Sequence, residues 1–209
     1  MKRGRDKFKR AKGILNLMYG FCMLFPRNVR MYFFERRRNT CGTIGFACRY
    51  VLLKSLASQV GDNVAVFPGV YFRNIKNLSI GNNVSIHPEC YIDANGGISI
   101  GSDCSIAQGV SIISAEHKWG DLDIPIKDQG TQQMPVTIES NVWLGAKATV
   151  LGGVHIKSGS IIGAMALVNK DVEANCVVGG IPAKVIKHRT DQPRYVDWMY
   201  TKTRGHTKE

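Results

Sequence analysis

The 209-residue sequence predicts an all-β domain built as a parallel β-helix, preceded by a basic helical segment. Three observations carry that prediction. Aliphatic residues recur every six positions, a second position of each six is restricted to small or β-branched types, and the rhythm is interrupted once, beside a histidine. An amphipathic helix repeats at 3.6 residues and an ordinary strand at two, so a period of six fits neither. It fits a short strand plus a tight corner, three of which close one triangular coil.

The repeat runs through Ile80, Ile86 and Ile92, then Ile100, Ile106 and Ile112. Beyond the interruption it continues at Ile138, Leu144, Val150, Ile156, Ile162 and Val168, and it extends backwards to Val60, Val66 and Phe72. The fifth position of each hexad is small or β-branched almost throughout, with Lys76 and Glu116 as exceptions. Glycine follows the first position at 61, 81, 101, 145 and 163. The first residue of each hexad is expected to point inward, with the small fifth residue at the corner. The extra residues at 78–79 and 98–99 are expected to form corner bulges.

Residues 1–58 form a separate segment. Residues 1–40 hold ten of the twelve net positive charges, so the remainder is nearly neutral and offers no nucleic-acid surface. The apolar run ILNLMYGFCMLF (14–25) is too short to span a bilayer and is followed by Pro26-Arg27 rather than a cleavage site. It is expected either to lie in the interface of an anionic membrane or to pack on the end of the main domain. RYVLLKSLAS (49–58) has helical periodicity where an open first coil needs a cap. The β-helix is expected over 59–189, with GGIPAKVIKHR returning across the last turn and a partly disordered tail over 190–209. The six cysteines show no metal-ligand spacing and are read as free, mostly buried thiols of a reducing compartment.

The interruption, SAEHKWGDLDIPIKDQG, carries His117 at its start and predicts a loop over 118–137. A long excursion from a compact domain is more often functional than not. The IESNVWLG stretch (138–145) and IIGAMALVNKDVEANCVVGGIPAKVIK (161–187) complete a pattern that resembles the hexapeptide-repeat acyltransferases. Over residues 58–188 the wording is most similar to bacterial polysaccharide and capsule sugar O-acetyltransferases.

That resemblance implies a left-handed β-helix, a hand that chain chirality alone would not suggest. It implies an acetyl-CoA-dependent transfer to a sugar hydroxyl, with His117 as general base and the Ala146 N–H stabilising the oxyanion. An imidazole titrating near neutrality suits proton transfer from a hydroxyl, and a thioester donor requires neither an enzyme nucleophile nor a metal. Asp93 matches an acceptor-binding carboxylate, with a solvated corner aspartate as the alternative. Trp119 could stack on a sugar or anchor the loop, and Glu116, at an inward-type position, could orient the His117 ring. For coenzyme A the resemblance implies Trp143, Gly145, Ala146, Ala164, Asn169, Lys170, Lys184 and Lys187. It further implies a homotrimer with the site between neighbours. The acceptor would be a sugar or lipid-linked glycan, and the protein would be cytoplasmic, with residues 1–40 against the inner face of the plasma membrane. An amino-sugar N-acetyltransferase and a non-enzymatic scaffold are the alternatives. A γ-type carbonic anhydrase would need a third zinc-ligating histidine at a spacing absent here.

Overall fold

A computed structural model describes residues 4–191. Three helices, α1 (Gly4–Met23), α2 (Arg27–Arg36) and α3 (Gly42–Leu56), precede a parallel β-solenoid of three faces. The first face stacks Gln59–Val60, Leu78–Ile80, Ile98–Ile100, Val136–Ile138 and His155–Ile156. The second stacks Ala65–Val66, Ser85–Ile86, Ser105–Ile106, Trp143–Leu144, Ile161–Ile162 and Cys176–Gly179. The third stacks Tyr71–Arg73, Tyr91–Asp93, Ser111–Ile113, Thr149–Val150 and Leu167–Val168. Chain order runs first, second, third and back to first, so each coil turns three corners.

Every first-position residue from Val60 to Val168 is buried. In-register parallel pairing, such as Ile86 beside Ile106 and Ile112 beside Val150, stacks them into continuous aliphatic columns. Their burial supplies the hydrophobic driving force that such short strands could not find within one coil. Glycine after the first position has a steric cause. A Cβ on Gly81 would stand 2.7 Å from the Ser102 nitrogen, because successive coils touch backbone to backbone at this corner. Turning the corner then requires a left-handed residue, which Asn63, Asn83, Asp103 and Asn141 supply with φ between 57° and 60°.

Two expectations are corrected. The extra residues 78–79 and 98–99 are not corner bulges: they lengthen the first-face strands, where Leu78 pairs with Ile98 and Ile98 with Val136, all three buried. Nor does the excursion span 118–137. It leaves at Ala115 and returns at Gln133 as an antiparallel hairpin, and Val136–Ile138 is already back in the first face.

The cap is α3, whose Val51, Leu53 and Leu56 are buried over the first coil. Arg49 crosses the same interface, donating from Nε to the Val66 carbonyl at 2.8 Å and from the guanidinium end to the Thr40 carbonyl at 2.5 Å. At the other end Lys184–His188 folds back antiparallel on Cys176–Gly179 and covers that edge of the second face. The tail beyond Asp191 lies outside the described residues. All six cysteines are free, but only Cys90, Cys104 and Cys176 are buried, and Cys41 is exposed. Burial pushes the Cys90 thiol up to about 11.

Candidate functional site

The hairpin is rooted by Ser114, a fully buried residue that sequence reading passed over. Its hydroxyl donates to the Asp93 carbonyl at 2.8 Å and accepts the Gly96 N–H at 2.9 Å, while its carbonyl accepts the Met134 N–H at 2.8 Å. One residue thus ties the point of departure to the coil below through its hydroxyl and to the returning chain through its carbonyl. The outgoing arm, Ala115–His117, pairs with the returning arm, Thr131–Gln133, and places His117 opposite Thr131. His117 is exposed.

Beyond the arms the loop holds its own shape. Gln129 accepts the Asp121 N–H at 3.1 Å and donates to the Asp121 and Ile124 carbonyls at 2.6 and 2.7 Å. Asp121 in turn accepts the Asp123 N–H at 2.9 Å. This arrangement displays apolar side chains outward: Trp119 is 70% exposed and Leu122 97%.

Glu116 is not inward. It is exposed on the outgoing arm opposite Gln132, and adjacent strand residues point to opposite faces, so it cannot orient the neighbouring His117 ring. The repeat position ceased to mean "inward" once the chain left the coil at Ala115.

Asp93 is a buried residue at the end of the third-face strand directly beneath Ile113, rather than a solvated corner aspartate. Its Oδ1 accepts from the Asn74 amide at 3.0 Å and the Asn95 N–H at 3.2 Å, and Arg73 lies 3.4 Å from Oδ2. These contacts fix the carboxylate just below the hairpin root.

Trp143, half exposed, projects from the second face between Ser105 below and Ile161 above. At the corner that follows, a Cβ on Gly145 would stand 2.6 Å from the Ala164 nitrogen. The Ala146 carbonyl accepts the Met165 N–H at 2.8 Å. The N–H groups of Ala146 and Ala164, one coil apart in this column, donate to no group among the described residues. Two free backbone donors on a close-packed corner form a cradle for carbonyl or amide oxygens. Asn169 and Lys170 are exposed two coils above the hairpin root, and Lys184 and Lys187 are exposed on the final antiparallel strand.

Within one chain these residues do not converge. His117 leaves from the corner between the third and first faces, whereas Ala146 and Ala164 occupy the corner between the second and third. A whole face separates His117 from these two backbone donors. Among the described residues the three other histidines are engaged elsewhere: His87 stacks on Phe67 at 4.5 Å, His155 Nε2 lies 2.8 Å from Glu139, and His188 Nδ1 lies 3.4 Å from the Cys176 sulfur. Among the described residues no three His, Cys, Asp or Glu side chains gather as a metal site.

Sequence comparison matches residues 135–170 to the bacterial transferase hexapeptide family and residues 77–114 to the hexapeptide repeat of succinyl-transferase. The galactoside O-acetyltransferase of Escherichia coli K12 is 32% identical over 188 residues, covering 90% of this chain and 82% of that protein. A hexapeptide-repeat acetyltransferase from Vibrio cholerae, solved with acetyl coenzyme A, superposes with a TM-score of 0.70 at 25% identity, covering 79% of this chain and 87% of that one. A maltose O-acetyltransferase from Clostridium difficile gives a TM-score of 0.67 at 26% identity, covering 79% and 87% respectively.

The chain therefore belongs to the hexapeptide-repeat acetyltransferase family. It is an acetyl-CoA-dependent acetyltransferase of the galactoside and maltose O-acetyltransferase type.

Proposed function

We propose that the protein transfers an acetyl group from acetyl-CoA to a sugar hydroxyl of a surface polysaccharide or its lipid-linked precursor. It would work as a homotrimer whose sites lie between neighbouring prisms. The observation that carries this reading is the separation of His117 from the Ala146 and Ala164 donors by one full face. Threefold packing of identical prisms would bring one chain's hairpin against the next chain's cradle and make three equivalent sites.

In such a site His117 takes the proton of the acceptor hydroxyl as its oxygen attacks the thioester carbonyl. The new C–O bond forms, the carbonyl oxygen gains negative charge, and the free Ala146 N–H receives it. Collapse breaks the C–S bond, and the imidazolium returns its proton to the departing thiolate. Asp93, immobilised by its three polar contacts, orients the acceptor by accepting from a second hydroxyl. Trp119 edges the acceptor side. Trp143 and the flat Gly145 backbone guide the pantetheine arm, with Ala164 and Asn169 as polar contacts and Lys170, Lys184 and Lys187 as counter-charges for its phosphates.

The relatives named for galactoside and maltose acetylation favour a hydroxyl acceptor. The Staphylococcus aureus tetrahydropyridine-dicarboxylate N-acetyltransferase, 49% identical over 57 residues, covers only 27% of this chain. The basic segment 1–40 would hold the trimer against the anionic inner face of the plasma membrane, where lipid-linked glycans are assembled. Thiol release from acetyl-CoA tests the chemistry, with sugars, amino sugars and lipid-linked glycans as acceptors. Acceptor-dependent release should fall about a hundredfold or more in His117→Ala. Equal release by both proteins would remove His117 as the base, and release only with amino sugars would replace the hydroxyl acceptor.

A further inference from the structure

The cap contains a binding surface that the acetyl-transfer chemistry does not use. Helix α1 begins alongside the prism: Arg5 pairs with Asp103 at 2.8 Å and Lys12 with Asp62 at 2.5 Å, both acids on the corner between the first and second faces. Those acids lie two coils apart, roughly 10 Å, the same distance that seven helical residues span. Helix α1 therefore runs antiparallel to the coil stack, and everything after Lys12, roughly 16 Å of helix, overhangs the first coil.

The overhang has two apolar faces. Leu15, Met18 and Tyr19 pack towards the cap. Ile14, Leu17 and Phe21 at helical spacing, with Leu24 in the turn that follows, form a stripe on the other side, exposed by 66%, 76%, 63% and 77%. Leaving such a stripe in water is unfavourable, and scattered surface leucines do not explain four in register.

Beside the stripe lies a groove. Helices α1 and α2 each pack on α3, and a cavity of about 290 Å³ opens between them. Val51 and Leu52 of α3 form its floor, and Met18, Phe21 and Phe33 form its walls. Two arginines also line it. Arg30 donates to the Ser55 carbonyl, yet its Nε is buried without a partner. Arg37, two helical turns away, is exposed and pairs with no acid among the described residues. The groove is thus apolar and edged by positive charge, with one buried N–H unmatched.

We infer that this overhang docks on an anionic bilayer, the stripe entering the acyl boundary and the groove receiving one chain of an anionic phospholipid. The groove walls match a hydrocarbon chain, and Arg30 and Arg37 match its phosphate. The surrounding segment, with ten of the chain's twelve net positive charges, supplies long-range attraction to such a surface and excludes a cationic partner. Parallel prisms in a trimer place three overhangs on one side, so the three contacts reinforce one another. This assigns residues and a lipid to the membrane contact proposed above, and it stands independently of the acceptor's identity.

The test is co-sedimentation of the full chain with vesicles of phosphatidylcholine alone or mixed with phosphatidylglycerol. Binding is expected only to the mixed vesicles and should weaken with salt. Leu17→Asp and Phe21→Asp, both at exposed positions, should each weaken it by about tenfold or more, and Arg37→Glu by roughly fivefold or more. Brominated phosphatidylglycerol should quench the fluorescence added by Phe33→Trp, which reports a chain in the groove itself. Undiminished binding by Leu17→Asp and Phe21→Asp, or none by the wild type, overturns the assignment. So does a larger assembly in free solution that Leu17→Asp dissolves, since a second copy of the chain would then cover the stripe. Acetyl transfer to a water-soluble acceptor, measured on the same proteins, separates the two readings: the docking variants should retain it whether or not vesicles bind.

Discussion

His117 and Thr131 stand directly opposite each other across the two arms of the hairpin. Residues paired in this way carry their side chains on the same face, with Cβ atoms about 5 Å apart. In the mechanism proposed above, Thr131 rather than Glu116 is the neighbour that shares the imidazole's face and would support it. Thr131→Val keeps the shape and removes the hydroxyl, and kcat should fall about fivefold, the worth of one hydrogen bond. The KM for acetyl-CoA should not move. An unchanged kcat would show that the ring needs no support from this arm.

Gly145 lies where two coils touch. A methyl group there meets the Ala164 nitrogen at 2.6 Å and the Ile162 carbonyl oxygen at 2.7 Å, both backbone atoms that cannot swing aside. Gly145→Ala should destabilise the protein by about 1–3 kcal/mol and raise the KM for acetyl-CoA by displacing the Ala164 donor. Gly120, in the loop with open space around it, is the control, and Gly120→Ala should leave both quantities alone. Equal melting temperatures for Gly145→Ala and the wild type would disprove the close approach.

Ile106 is fully buried at the middle of the second-face column, paired with Ile86 below and Leu144 above. Ile106→Val should lower unfolding free energy by about 1 kcal/mol and Ile106→Ala by about 2–5 kcal/mol, read from urea midpoints. Similar losses for both would mean that the coils collapse to fill the space.

Glu139 accepts from the Ser158 hydroxyl at 2.7 Å, the Ser158 N–H at 2.9 Å and His155 Nε2 at 2.8 Å. The Ser158 contacts, followed by His155, hold its carboxyl below its ordinary value of 4.5. A carboxyl depressed by folding stabilises the folded state at pH values above its unfolded pKa. That contribution disappears as pH falls through the lower, folded value. Ser158→Ala should therefore flatten the acid side of the stability profile and change little near neutrality. A parallel downward shift at every pH would assign Ser158 a packing role instead.

Gln129 closes the loop through three hydrogen bonds to backbone. Gln129→Ala should speed proteolytic nicking between 118 and 130 without lowering the global melting temperature, because the loop contributes no core residue. Activity should fall with it if Trp119 and Leu122 form a wall of the site.

The coils were legible because burial repeats. From Val60 to Val168 each inward residue answers to the same local demand, an aliphatic side chain beneath the same residue of the next coil, and that demand is printed every six positions. The limits of that reading fall where position in the repeat no longer predicts direction. Leu78 and Ile98 looked like surplus corner residues but extend a strand, since an apolar residue two before an inward one faces the same side. Glu116 kept an inward index after the chain had already left the coil. Ser114 bore no signal at all, because a lone serine in a regular stretch is ordinary until its neighbours are known.

The sequence by itself determined the β-helix, its single interruption, the candidate histidine and the concentration of charge in the first forty residues. All of these follow from periodicity and composition, which are properties of the chain read in order. Only the tertiary structure decided that the interruption is a hairpin pairing His117 with Thr131, that Asp93 is immobilised beneath it, and that α1 overhangs the first coil with an apolar face uncovered. Those are relations between residues far apart in the chain, from His117 and Thr131 to Arg5 and Asp103. Their geometry is set by which backbone groups and side chains meet when the coils stack, and no local pattern encodes it.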